Sequence, residues 1–423
     1  MKFNYGKIFV LGFGFFGVSV IWGVYNAFVP IFLANKFNLA PAFIGFFMTL
    51  DNIAALFIQP PVGAWSDRLR TPIGRRLPFI LVGAPITALA FGLIPMASVL
   101  PLFVACTSTL LLSAALWRTP VVALMPDITP SKNRSQANGI INFMGGIGTI
   151  IALQTGGMLY KISPSFPFWL GSVLVVVSAL IVFLFVKEPK EYEENDEKQP
   201  SMIESLREVL NDKDKSGARI LFAIFFWFLG YSAVETFFTL YAQKHLGINA
   251  GDGATLLSVF PLFFVLFAIP SGFIAARIGR RVAISIGLIV VAVVLALLYI
   301  LPATTLLGPV SPLPLVGIPL TEGGPRMLTI AGVLLIFGGI GWAFVNINSL
   351  PMVVELTSAA RIGTFTGLYY LFSTLSAIIG PNVNGWAIQL TGNNYNVIML
   401  IAPFFMLAAL ILMLGVRRGE ATV

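Results

Sequence analysis

Three charged side chains interrupt long apolar runs of the chain: Asp51, Arg118 and Glu235. An ionised group in hydrocarbon is costly, so one retained there is a functional candidate with a partner to be found. Burial favours the protonated form of a carboxyl, and a neighbouring guanidinium favours the carboxylate. A carboxyl under both influences can take up and release a proton, which makes Asp51 and Glu235 the candidate proton carriers. The competing reading is a permanent ion pair between helices. Arg118 brings five N–H donors, enough to bridge hydroxyls or to hold a carboxylate. Polar residues gather in the same runs. Asn52 and Gln59 are seven apart and share a helix face, Tyr25 and Asn26 follow Trp22, and Asn346 and Asn348 lie close together in a later run. Amides for hydroxyl groups and aromatic rings for C–H surfaces suit a sugar better than a greasy compound. The expected binding set is therefore Tyr25, Asn26, Asp51, Asn52, Gln59, Arg118, Glu235, Asn346 and Asn348. One cysteine, Cys106, and one histidine, His245, leave no disulfide framework, His/Cys metal centre or nucleophile–base cluster. No metal, no cofactor and no enzymatic reaction are expected.

The elements that hold these residues are membrane helices. Of 423 residues, 57% are apolar and only 10% charged, against roughly a quarter charged in soluble proteins. A membrane-crossing helix needs about 20 mostly apolar residues. Twelve such runs are predicted, over 8–34, 42–64, 78–97, 101–125, 137–160, 167–187, 218–243, 253–275, 282–302, 327–350, 363–390 and 394–416. The first follows Lys2 and Lys7, but it is too long for a signal-peptide core and lacks a small-residue cleavage site. Of the 26 Lys and Arg, only Lys36, Lys161, Lys244 and Arg326 fall in the loops of one side, and Arg118 lies within a run. All others fall on the opposite side, together with both chain ends. Positively charged loops stay in the cytoplasm, so both termini are expected there. The net charge of +8 is then topological, which removes nucleic acid from the expected partners.

The runs divide into two six-helix halves, 1–187 and 218–423. The segment 188–217 joins them; its first part is acidic, and Ile203, Leu206, Val209 and Leu210 follow a helical spacing. That spacing predicts an amphipathic helix at the membrane surface. The halves repeat each other. Gly63-x-x-x-Asp67-Arg68 and Gly74-Arg75-Arg76 follow the second run, while Gly272-x-x-x-Ala276-Arg277 and Gly279-Arg280-Arg281 follow the eighth. Asp127 and Arg134 follow the fourth run, as Glu355 and Arg361 follow the tenth. The expected cytoplasmic gate is Gly63, Asp67, Arg68, Gly74, Arg75, Arg76, Asp127, Arg134, Arg277, Arg280, Arg281, Glu355 and Arg361. Gly63 is expected to let helices approach closely and Gly74 to allow a tight turn. With Ala276 in place of an acid, the second loop is the weaker latch.

Parallel six-helix repeats with a site near mid-membrane resemble the major facilitator superfamily. Within it, QPPVGAWSDRLRTPIGRRLPFI (59–80) is similar to the plant sucrose/proton symporters and their animal relatives, in the wider glycoside/cation symporter group. The five residues between Arg68 and Gly74 match that pattern; Leu77 and Thr71-Pro72 depart from it. Arg118-Thr119-Pro120 through Pro126 resembles a segment of the wider group, with arginine where an acid stands. The two second-run carboxylates that hold sodium in some of its members are Ala55 and Gln59 here. The resemblance thus implies inward, proton-coupled transport of a disaccharide such as sucrose or maltose. The partners are a sugar and membrane lipid, and the chain works as a monomer in the cell membrane. The alternatives are a proton-driven exporter of small hydrophobic or cationic compounds, and a non-transporting membrane sensor.

Overall fold

The computed structural model describes residues 4–129, 133–188, 202–314, 316–321, 323–357 and 362–419. The chain is helical almost throughout. It runs through α1 (Tyr5–Asn35), α2 (Pro41–Phe47), α3 (Leu50–Arg68), α4 (Leu77–Leu93), α5 (Leu100–Ile128), α6 (Arg134–Ile162) and α7 (Phe166–Phe185). After the joining segment come α8 (Met202–Asn211), α9 (Ser216–Lys244), α10 (Ala250–Leu257), α11 (Val259–Ile278), α12 (Arg280–Ile300) and α13 (Ala303–Leu306). Three short strands follow, β1 (Pro309–Pro312), β2 (Ile318–Pro319) and β3 (Arg326–Thr329), and then α14 (Ile330–Val354), α15 (Ile362–Leu390) and α16 (Val397–Leu414). Eleven helical stretches among the described residues are long and apolar enough to cross a membrane, with α2–α3 and α10–α11 each forming one. The twelfth long helix is α15, of 29 residues, which carries more Ser, Thr and Asn. The predicted runs agree with these helices to within a few residues. The chain is a multi-pass membrane protein.

Two of the expected continuous runs are broken. The second breaks at Met48–Thr49, where the Thr49 hydroxyl donates back to Phe46 O at 2.7 Å. The eighth breaks at Ser258, whose hydroxyl donates to Thr255 O at 2.6 Å. A side-chain bond to the preceding turn competes with the helix ladder and bends it. The start of the tenth run also differs: β3 pairs antiparallel with β1 and β2, in the order β1-β3-β2. The α14 helix begins only after Thr329, whose Oγ1 accepts from Gly332 N. The expected amphipathic helix is α8, but Val209 is buried and packs against Gly217 at the start of α9.

The chain forms two compact units. Unit 1 is Met1–Leu39, Leu50–Glu194 and Asn249–Ser258; unit 2 is Ala40–Thr49, Asn195–Ile248 and Val259–Val423. Each unit thus takes in one short helix from a distant part of the chain. In unit 1, α10 packs on α6, with Gly157 and Gly251 so close that neither has room for a Cβ. There Lys161 pairs with Asp252, and Ser258 Oγ donates to Gln154 Oε1 at 2.9 Å. In unit 2, α2 packs on α15, and Gln389 Oε1 accepts from Ala42 N at 3.3 Å.

Candidate functional site

Unit 1 carries the charged set. Asp51 stands in the first turn of α3, directly after the break, at the positive end of that helix's dipole. Asn52 Nδ2 donates to Asp51 Oδ1 at 2.8 Å. Arg118 on α5 and Tyr25 on α1 both lie within electrostatic reach of Asp51. Tyr25 is fully buried, and its hydroxyl has no hydrogen-bond partner among the described residues. Trp22 meets its ring edge-on, with centroids 5.6 Å apart. The helices α3 and α1 both pack against α5, which is how an acid, an arginine and a phenol from three helices come together. Asn26 and Gln59 are half-buried.

Unit 2 carries an aromatic set around an acid. Glu235 on α9 lies four residues after Tyr231, so the two share a helix face, and Tyr231 feels the Glu235 charge. Tyr231 stacks on Trp342 of α14, with centroids 4.4 Å apart and planes 7° from parallel. Phe228 meets Trp342 edge-on at 5.5 Å and Tyr369 of α15 at 6.2 Å. Phe260 of α11 tilts against Tyr231 at 6.1 Å. The two expected amides contribute less to this lining. Asn348 is buried and donates to Phe344 O of its own helix at 2.9 Å, while Asn346 is half-buried. Sequence reasoning passed over Phe228, Tyr231, Trp342 and Tyr369. Tyr231 was legible as the residue one turn before Glu235, and Trp342 as the one a turn before Asn346.

The arginine loops are held within each unit. In unit 1, Arg76 is 4% exposed, with Nη2 2.5 Å from Asp67 Oδ1 and Nε 3.0 Å from Asp127 Oδ2. Arg75 Nη2 lies 2.7 Å from Asp127 Oδ1, and Ser66 Oγ accepts from Arg76. Gly74 has φ of 122°, a left-handed conformation that suits glycine. At Gly63 a Cβ would meet only Thr119 Cγ2, at 3.6 Å. That is an ordinary contact, so the close helix approach expected there is absent. Arg68 is exposed at the end of α3, and Arg134 opens α6. In unit 2, Arg280 Nη1 lies 3.4 Å from Glu355 Oε1, Arg281 Nη2 donates to Leu414 O at 2.5 Å, and Arg277 is exposed. Arg361 lies outside the described residues. Beside this loop, Ser216 donates its hydroxyl and its N–H to Asp214, holding that carboxyl below its ordinary pKa.

One partner of the first loop had no local signal. Glu188, just past α7, accepts from the backbone N–H groups of Arg75, Arg76 and Leu77 at 2.8, 2.9 and 2.7 Å. No group of His, Cys, Asp and Glu among the described residues could hold a metal ion.

The sequence profile described as Major Facilitator Superfamily matches residues 11–381. The chain is 24% identical over 405 residues to the tetracycline resistance protein, class E, of Escherichia coli, covering 92% of this chain and 91% of that protein. It is 25% identical to multidrug resistance protein 2 of Bacillus subtilis, over 66% of this chain and 68% of that one. Among solved structures it resembles the nucleoside transporter NupG, with a TM-score of 0.74 and 17% identity, covering 97% of this chain and all of the other. A bacterial homologue of the human lysosomal transporter Spinster, in an inward-facing and occupied conformation, gives 0.73 at 14% identity over all of both chains. These structural likenesses concern the fold.

Proposed function

This chain belongs to the major facilitator superfamily, and we propose that it is a proton-driven exporter of small, flat, hydrophobic or cationic compounds. The observation that carries this reading is the aromatic set beside Glu235. A stacked Tyr231–Trp342 pair with Phe228, Tyr369 and Phe260 offers ring faces to a planar compound, and ring faces attract cations. The carboxylate of Glu235 adds a counter-charge on the same helix face. A sugar site would instead spend amides on hydroxyls, and Asn348 already spends its own on Phe344 O. The named relatives support the same direction, because a carrier that confers resistance does so by moving a compound out of the cell. The inward sugar symport implied by the likeness to the plant sucrose carriers gives way to this reading.

Asp51 is the proposed proton carrier. It offsets the charge of Arg118 when ionised and ceases to do so when protonated, so the proton changes the field within unit 1. The halves 1–187 and 218–423, joined by 188–217, carry out alternating access in the cell membrane. Both termini and the arginine loops lie on the cytoplasmic side, by the loop charges. The chain works as a monomer surrounded by lipid.

The test uses inverted vesicles with a proton gradient, acid inside, and ethidium as probe. Accumulation of ethidium is expected with the natural sequence and should fall at least about tenfold in Glu235→Gln, the loss of one charge-assisted contact. Uptake of labelled sucrose or maltose in right-side-out vesicles, with no movement of ethidium, would restore the sugar reading.

A further inference from the structure

We propose that Glu188 is a positioning residue for the first arginine loop, and that through it the chain just past α7 is tied to that loop. The carboxylate reaches three successive backbone N–H groups, those of Arg75, Arg76 and Leu77. Leu77 is the first residue of α4, so the carboxylate caps a helix end whose amides lack partners within the helix and whose dipole favours negative charge. The two residues whose amides it takes first are the ones whose side chains reach Asp127 and Asp67.

The fit is close. A Cβ at Gly74 would fall 2.5 Å from the Glu188 carboxyl carbon, so the left-handed glycine makes room for the acid as well as turning the chain. The neighbouring backbone is held too: Lys187 O accepts from Lys7 Nζ of α1 at 2.7 Å. The start of the joining segment is therefore fixed to α1 and to the arginine loop together.

Unit 2 has a related loop. Its loop has the same Gly-Arg-Arg order, and Gly279 also stands in the left-handed region with φ of 93°. In the position after α16 that corresponds to Glu188 after α7, the chain carries arginines, and Arg418 pairs with Asp212 instead, at 3.2 Å.

If Glu188 acts by holding Arg75 and Arg76 toward Asp127, removing it should make the Asp127 pairing nearly worthless. This role builds on the exporter reading only in its effect on transport, so the test is made on the purified full chain in detergent. In Glu188→Gln, the amides of 75–77 should exchange with deuterium at least about tenfold faster, from the loss of a charged acceptor, with exchange in α14 unchanged. In a double-mutant cycle, Asp127→Asn should lower the unfolding midpoint strongly in the natural sequence and weakly in the Glu188→Gln background. Glu188→Asp should restore part of the protection. Unchanged exchange at 75–77, or strictly additive losses in the cycle, would overturn the proposal. Faster exchange and coupled losses in a protein that moves no ethidium would count against the exporter reading and leave the cap standing.

Discussion

Gly74-Arg75-Arg76 in unit 1 and Gly279-Arg280-Arg281 in unit 2 each set a left-handed glycine before two arginines. The first arginine makes the corresponding pairing in both loops, Arg75 with Asp127 and Arg280 with Glu355. The second arginine sits differently in the two loops. Arg76 is buried and bridges Asp67 and Asp127, whereas Arg281 turns to a backbone carbonyl, Leu414 O. The local difference is Ala276, which stands where the first loop has Asp67. An acid at that position draws the second arginine inward and shares it between two helices; Ala276 offers no such partner. Burial follows the same division. The Arg76–Asp127 pair is 4% and 12% exposed, and Arg280–Glu355 is 22% and 40% exposed. One motif can therefore bury its ion pair in one half and leave it part-exposed in the other.

Three substitutions test this contrast. Asp127→Asn removes the acid shared by Arg75 and Arg76 and leaves buried positive charge without its partner, which costs about 3 kcal/mol. It should appear as a large fall in the unfolding midpoint in detergent; a fall no larger than that of Glu355→Gln would end the contrast. Ala276→Asp gives the second loop the missing acid and should draw Arg281 from Leu414 O, a gain of up to about 1 kcal/mol. A midpoint unchanged or lowered in that variant would mean that position 276 does not decide where the second arginine goes. Glu355→Gln breaks only a part-exposed pair and should cost less than about 0.5 kcal/mol, measured in the same way.

The long helices were legible because length and apolar composition alone define a membrane span. The breaks at Thr49 and Ser258 were not, since a hydroxyl residue sits in a straight helix as readily as in a bent one. Only the bond back to the preceding turn separates the two cases. The small sheet around Arg326 escaped because its strands are two to four residues long and two of them contain prolines. In the candidate site, buried charges marked Asp51, Arg118 and Glu235 without help from structure. Weighing amides over rings then pointed to a sugar, because a sequence shows that Asn348 exists and not that its amide is occupied by its own helix. Glu188 was illegible for a different reason. Its partners lie more than a hundred residues earlier, and they are backbone groups, which every residue possesses.

The short helix α10 has a consequence for how the molecule is made. It completes unit 1 by covering α6, yet it lies beyond α9 in the chain, within the half that otherwise builds unit 2. A chain synthesised from its N-terminus has the six long helices α1 and α3–α7 of unit 1, but not α10, for the time it takes to add α8 and α9. Through that interval the glycine face of α6 at Gly157 has no packing partner from α10, and Lys161 has not yet met Asp252. The last contacts of unit 1 thus wait for the ribosome to pass residue 258, so the first half of the gene encodes an unfinished object.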